Sequence, residues 1–117
     1  MNWKIPLSDI DFDNREISAI NEVLESKWLS MGDVTKQFEE QFSNHIGTKH
    51  AIAVANGTAA LHLSLLAIGI SEGDEIIQPA LNFVAASNIT KAMGATPVFS
   101  DIIGLEEPTI CPKDIEK

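Results

Sequence analysis

Apolar residues recur at helical spacing twice in the first half of the chain. Ile17, Ile20 and Leu24 fall on one face of a helix that begins near Asp13, where Glu16 three residues on completes a capping-box pattern, and that ends before Trp28. Val34, Phe38, Phe42 and Ile46 mark a second helix after Gly32-Asp33, with Gly47 as its C-terminal stop. Both helices read as amphipathic, with one face on a core. From His50 the pattern changes. Ala51-Ile52-Ala53-Val54 is a short apolar run bounded by the turn Asn56-Gly57, which suits a strand buried on both faces. Ala59 to Ile68 is long enough for a helix, apolar on nearly every side and followed by Gly69, so it should be covered by other elements.

Ser71-Glu72-Gly73-Asp74 reads as a turn and Glu75–Gln78 as a second strand closed by Pro79. Phe83–Met93 reads as a core-facing helix stopped by Gly94, and Pro97–Ser100 as a third strand. Strand, helix, strand, helix, strand is the α/β rhythm, and right-handed crossovers make neighbouring strands parallel. After a loop from Gly104 to Cys111, Pro112-Lys113-Asp114-Ile115-Glu116 has the Pro-led acidic start of a further helix, and an ending there suggests truncation; a frayed terminus is the alternative.

Composition narrows the function. The chain has 117 residues, 44% hydrophobic and 21% charged, which suits one domain or part of one. Its formal charge of −9 includes no basic stripe for a nucleic-acid backbone or an anionic membrane surface, so neither is an expected partner. Cys111 is the only cysteine, which leaves no internal disulfide or multi-cysteine metal site. Lys4, Asp9, Asp11 and Asp13 interrupt the stretch a signal peptide would need, and no apolar run approaches bilayer-spanning length. A cytoplasmic location is expected. His45 and His50 lack metal-ligand spacing, His62 reads as a hydrogen-bonded core residue, and Asp74-Glu75 as a solvated turn; no metal site is expected.

Asn56-Gly57-Thr58-Ala59 lies between a strand-like run and a helix, so first-turn amides can face an anion, which favours a phosphate. Gly57 permits close backbone approach, and the Thr58 hydroxyl can donate a further hydrogen bond. The motif is neither G-x-G-x-x-G nor G-x-x-x-x-G-K-[ST], and an Asn-Gly turn with a Thr cap is at least as often plain punctuation.

The longer pattern adds to this. Trp28-Leu29-Ser30-Met31-Gly32, Phe38-Glu39, the run from Lys49 through Asn56-Gly57-Thr58-Ala59 to Leu63, Gly69-Ile70, Gly73 to Ile77, Pro79, Asn82-Phe83-Val84-Ala85 and Gly94 to Phe99 together resemble the DegT/DnrJ-type nucleotide-sugar aminotransferases. The resemblance covers nearly the whole chain. It implies the N-terminal part of the large domain of an aspartate-aminotransferase-like α/β fold, residues 1–117, with no complete second domain. It implies the cofactor pyridoxal 5'-phosphate (PLP), an amino-acid donor, usually glutamate, a nucleotide-linked keto-sugar as acceptor, and a homodimer in the full-length form.

By the same resemblance Gly57, Thr58 and Ala59 contact the cofactor phosphate and Phe83 stacks on its ring, the alternative for Phe83 being a core residue at a helix start. Ser30 and Gly32 sit in a loop that faces substrate, or else form a tight connection between helices. No catalytic residue is assigned. The chemistry needs a lysine amine and a carboxylate at the ring nitrogen; in the family both lie beyond residue 117, and none of the lysines here matches the lysine motif. Asp101 does not match that carboxylate. Asn82 and Ala86 stand where Thr is usual in the family. Relatives with the same cofactor perform sugar dehydration or aminobenzoate synthesis, and a non-catalytic binding or interaction module is a further alternative.

Strand pairing separates these readings. A self-contained doubly wound unit sets Ala51–Val54 beside Glu75–Gln78, whereas the resemblance implies that Glu75–Gln78 pairs in parallel with Pro97–Ser100 and that Ala51–Val54 has no partner among the other two.

Overall fold

The computed structural model describes residues 4–5 and 8–116. The chain forms two compact units, residues 1–53 and 54–117.

The first unit holds α1 (Asn14–Ser26) and α2 (Asp33–Ile46). Asp13 caps α1 as its pattern predicts: its carboxylate accepts from the Arg15 N–H at 2.7 Å, and the Glu16 carboxylate accepts from the Asp13 N–H at 2.9 Å, closing the capping box. The Arg15 guanidinium, 2.8 Å away, and the backbone N–H of Arg15 hold the Asp13 carboxyl below its ordinary value of 3.8. Lys27 ends the helix in the left-handed region at φ 59°, and Gly47 ends α2 at φ 77°, where a glycine carries no Cβ strain.

The apolar stripes of both helices form as expected but face solvent. Ile17, Ile20 and Leu24 are exposed, as are Val34, Phe38, Phe42 and Ile46, with Phe38 and Phe42 in a tilted ring contact at 5.9 Å. Periodicity defines which face is apolar and says nothing of what covers it.

The expected strand at Ala51–Val54 is the second departure. These residues have no ladder partner among the described residues, and two strands form rather than three. The Ala53 N–H donates instead to the Glu39 carboxylate of α2 at 2.7 Å, so a side chain satisfies the donor a ladder would have used.

The second unit holds α3 (Gly57–Ala67), β1 (Glu75–Pro79), α4 (Ala85–Ala92), β2 (Thr96–Ser100) and the short α5 (Pro112–Ile115). β1 and β2 run parallel, with Glu75 opposite Thr96 and Pro79 opposite Ser100, and α4 packs on both strands and on α3. This is the pairing implied by the resemblance. The buried centre is small: Ala85, Thr90, Ala95, Ser100 and Gln78. Leu61, Leu63 and Leu66 of α3 are exposed, so this apolar helix is less covered than its composition suggests. His62 is half-buried, and its ring has no hydrogen bond among the described residues, contrary to the hydrogen-bonded core reading. Asp74 closes its turn by accepting from the Ser71 N–H at 2.8 Å. No helix among the described residues is long and apolar enough to cross a membrane.

Candidate functional site

The turn that leads into α3 in the second unit is built by Asn56. Its backbone is extended (φ −169°), and its side-chain oxygen accepts from the Ala59 N–H at 2.9 Å. The Asn56 carbonyl accepts from the Ala60 N–H at 3.1 Å, so the helix is under way by its fourth residue. Of the expected phosphate contacts, Ala59 therefore has its amide occupied by the cap, while the amides of Gly57 and Thr58 have no acceptor among the described residues. Both residues are exposed. A Cβ built on Gly57 meets nothing within 4 Å, which leaves open space in front of the turn. Gly57 and Thr58 thus offer two amides and one hydroxyl toward that space, with the positive end of α3 behind them. These groups suit a phosphate.

Phe83 lies two residues ahead of α4 rather than at its start, and is 75% exposed. It is not part of the buried centre of this unit. Its N–H donates to the Asn82 side-chain oxygen at 2.7 Å, a local bond that holds the backbone and leaves the ring free to meet a flat partner.

Ser30 and Gly32 both line a pocket of about 660 Å³ in the first unit, with Val23, Trp28, Leu29 and Val34 as its apolar walls. The Ser30 hydroxyl has no partner among the described residues, in contrast to Ser26, whose hydroxyl donates to the Val23 carbonyl at 2.7 Å. The Trp28 indole N–H donates to the Met31 carbonyl at 3.2 Å and folds the ring back over the loop. A Cβ on Gly32 would lie 2.4 Å from Trp28 Nε1 and 2.8 Å from its Cδ1. Gly32 has an extended φ of −164° that any residue adopts, so the indole, not the backbone conformation, requires glycine there.

Two features escaped the sequence reading. The Trp28–Gly32 contact is signalled only by a large aromatic four residues before a glycine. Gln78 is 4% exposed at the end of β1; its Nε2 donates to Ser87 Oγ at 2.7 Å and its Oε1 has no partner among the described residues. A lone Gln in an apolar run gave no sign of burial.

A parallel strand pair with helices packed on it defines an α/β fold, and comparison with known proteins makes the class specific. Residues 10–117 match the model of the DegT/DnrJ/EryC1/StrS aminotransferase family, and the chain belongs to that family. The GDP-perosamine synthase of Escherichia coli O157:H7 is 45% identical over 98 residues, 83% of this chain and 27% of that protein. A protein described as a sugar aminotransferase from Streptococcus pneumoniae, solved in its PLP form, superposes with a TM-score of 0.87 at 31% identity, over 97% of this chain and 29% of that one. The E. coli GDP-4-keto-6-deoxy-D-mannose-3-dehydratase with bound hydrated PLP gives a TM-score of 0.77 at 35% identity, over 83% of this chain and 26% of that one. The chain thus spans under a third of the length of these relatives. The similarity at 31–35% identity bears out the fold class expected from the sequence.

Proposed function

We propose that this chain is the N-terminal portion of the PLP-binding large domain of an aminotransferase that moves an amino group, from glutamate, onto a nucleotide-linked keto-sugar in a cytoplasmic homodimer. The observation that carries the cofactor assignment is the open turn at Gly57 and Thr58, whose two amides lack acceptors among the described residues at the start of α3. The family match over residues 10–117 supports the reaction class.

In this reading the Gly57 and Thr58 amides and the Thr58 hydroxyl hold the phosphate, and Asn56 orients them by fixing the first turn through Ala59. Ala59 contributes its backbone position rather than a free donor. Phe83 lies against one face of the ring, excluding water from it. Ser30 offers the substrate a hydroxyl in a pocket that Ser26, Asp33 and Thr35 also line, and Gly32 keeps that pocket's shape by admitting the Trp28 indole. When bound, the cofactor supplies an electron sink for bond changes at the carbon bearing the amine. The apolar faces left open on α1, α2 and α3 are surfaces for the remainder of the longer fold.

A sugar dehydratase is the second reading, favoured by the similarity to the E. coli dehydratase. The two are told apart by incubating the full-length protein with PLP, glutamate and a nucleotide-linked 4-keto sugar and weighing the product. An amino sugar with 2-oxoglutarate released supports the proposal. Loss of a hydroxyl with no nitrogen gained supports the dehydratase, and neither product refutes both.

A further inference from the structure

We propose that the buried hydrogen bond between Gln78 and Ser87 is a positioning device for Phe83, which makes Gln78 a positioning residue for the cofactor ring. The proposal rests on the role given to Phe83 above.

The connection from β1 to α4 is held at both ends and free in the middle. At its start the Ala80 N–H donates to the Ser100 carbonyl at 2.9 Å, and at its end the Asn88 N–H donates to the Val84 carbonyl at 3.0 Å. Between them Leu81, Asn82 and Phe83 are exposed, and among the described residues their one further hydrogen bond is the local one from Phe83 to Asn82. Packing of α4 on both strands sets the helix axis, while the exposed residues 81–84 ahead of it are fixed by few backbone bonds. Gln78 Nε2 reaches across nine residues to Ser87 Oγ at 2.7 Å and closes the connection from beneath, in the buried layer. A side-chain bond spanning the two ends of a loop fixes the direction in which the loop's tip points.

The stability cost points the same way. Gln78 is 4% exposed and its Oε1 has no donor among the described residues. Exchanging the amide oxygen and nitrogen lets Ser87 donate to Oε1 but leaves the nitrogen unpartnered, so one polar atom is orphaned in either orientation. A buried amide that cannot satisfy both of its ends destabilises, and an apolar side chain of similar length would serve β1 better if packing were its whole task. What the amide provides and methionine does not is the tether to Ser87.

The experiment uses the full-length protein and four variants, Gln78→Met, Ser87→Ala, Ser87→Thr and Phe83→Ala. Three quantities are read: the PLP dissociation constant by absorbance, amide hydrogen exchange over residues 80–84 without cofactor, and the cofactor-free melting temperature. Gln78→Met and Ser87→Ala are expected to weaken PLP binding by about two- to tenfold, the worth of one neutral hydrogen bond. Both should speed exchange over 80–84. Ser87→Thr keeps the hydroxyl and should behave as the parent, and Gln78→Met should melt no lower than the parent. A fall in melting temperature with PLP binding unchanged makes the pair merely structural and overturns the proposal. Weaker binding in Phe83→Ala but not in Gln78→Met overturns it while leaving the role of Phe83 intact. No effect of Phe83→Ala overturns that role and the proposal together.

Discussion

Gly32→Ala tests the packing of the first unit at one atom. The added Cβ would lie 2.4 Å from Trp28 Nε1, whereas ordinary contact begins at 3.4 Å, so the indole must retreat. A retreat of roughly 1 Å stretches the 3.2 Å bond from Nε1 to the Met31 carbonyl beyond hydrogen-bonding range. Trp28 is 63% exposed, so the ring can swing outward without colliding with a core, and the lost bond is worth about 0.5 kcal/mol. Gly32 is also the N-cap of α2, where alanine is poorer than glycine by roughly 0.5–1 kcal/mol. Against these, alanine restricts the unfolded chain and returns about 0.4–1 kcal/mol, since the extended backbone accepts it. The net destabilisation is therefore about 0.5 kcal/mol, too small for a melting curve to be decisive. Tryptophan fluorescence is the better assay. In a Trp3→Phe background Trp28 is the only indole, and its emission should shift to longer wavelength with increased acrylamide quenching in Gly32→Ala. Unchanged emission and quenching would refute the contact and with it the packing reason for glycine.

Asn56→Ala should cost about 1 kcal/mol in α3, read as faster amide exchange at Ala59 and Ala60; unchanged exchange would remove Asn56 as the cap. Asp13 titrates below its ordinary 3.8 in the folded chain, held there by Arg15, so its contribution to α1 is complete above that value and is lost as pH falls through the lower folded value. Acid titration by NMR should therefore place the Asp13 carboxyl below the ordinary value, with fraying of the first turn following its protonation; a carboxyl that titrates at or above 3.8 would contradict the cap geometry. The 117-residue chain alone, given PLP and borohydride, should show scattered lysine labelling and no single modified site, checked by peptide mass spectrometry. One stoichiometric site would mean that a lysine here can carry the chemistry.

The features legible in the sequence are those set by near neighbours. The Asp13–Glu16 box and the Gly47 stop need only a turn of helix each, and both stand where the residues place them. The parallel pairing of Glu75–Pro79 with Thr96–Ser100 follows both from the strand–helix–strand rhythm and from the family resemblance. Ala51–Val54 lacks a partner in β1 and β2, as the resemblance implies, but forms no strand, because an apolar run looks the same whether or not a partner strand is present and the ladder is a property of distant residues. The start of α4 was misplaced because its N-cap is Val84, with no side-chain cap to announce the boundary. Of the candidate site, the anion turn was visible as a composition of small polar residues. That Asn56 occupies the Ala59 amide, that Phe83 stands clear of the helix and that Gln78 is buried beneath it depend on tertiary geometry.

The register of the two strands also says what each free edge of the sheet presents to a further strand. The Thr96 N–H donates to the Asp74 carbonyl and the Ser100 carbonyl accepts from the Ala80 N–H, so even-numbered residues of β2 turn their backbone groups toward β1. Alternate residues of a strand address opposite neighbours, and Pro97 therefore points its nitrogen outward. That nitrogen has no hydrogen to give. An incoming strand along the outer side of β2 would meet a missing rung near its beginning, which is how natural sheets discourage unwanted recruitment of a stray chain. The outer side of β1 carries the same feature at its other end: Ala80 turns its N–H toward β2, so Pro79 points its nitrogen away from the pair, and each free edge lacks one rung, near the beginning of β2 and near the end of β1.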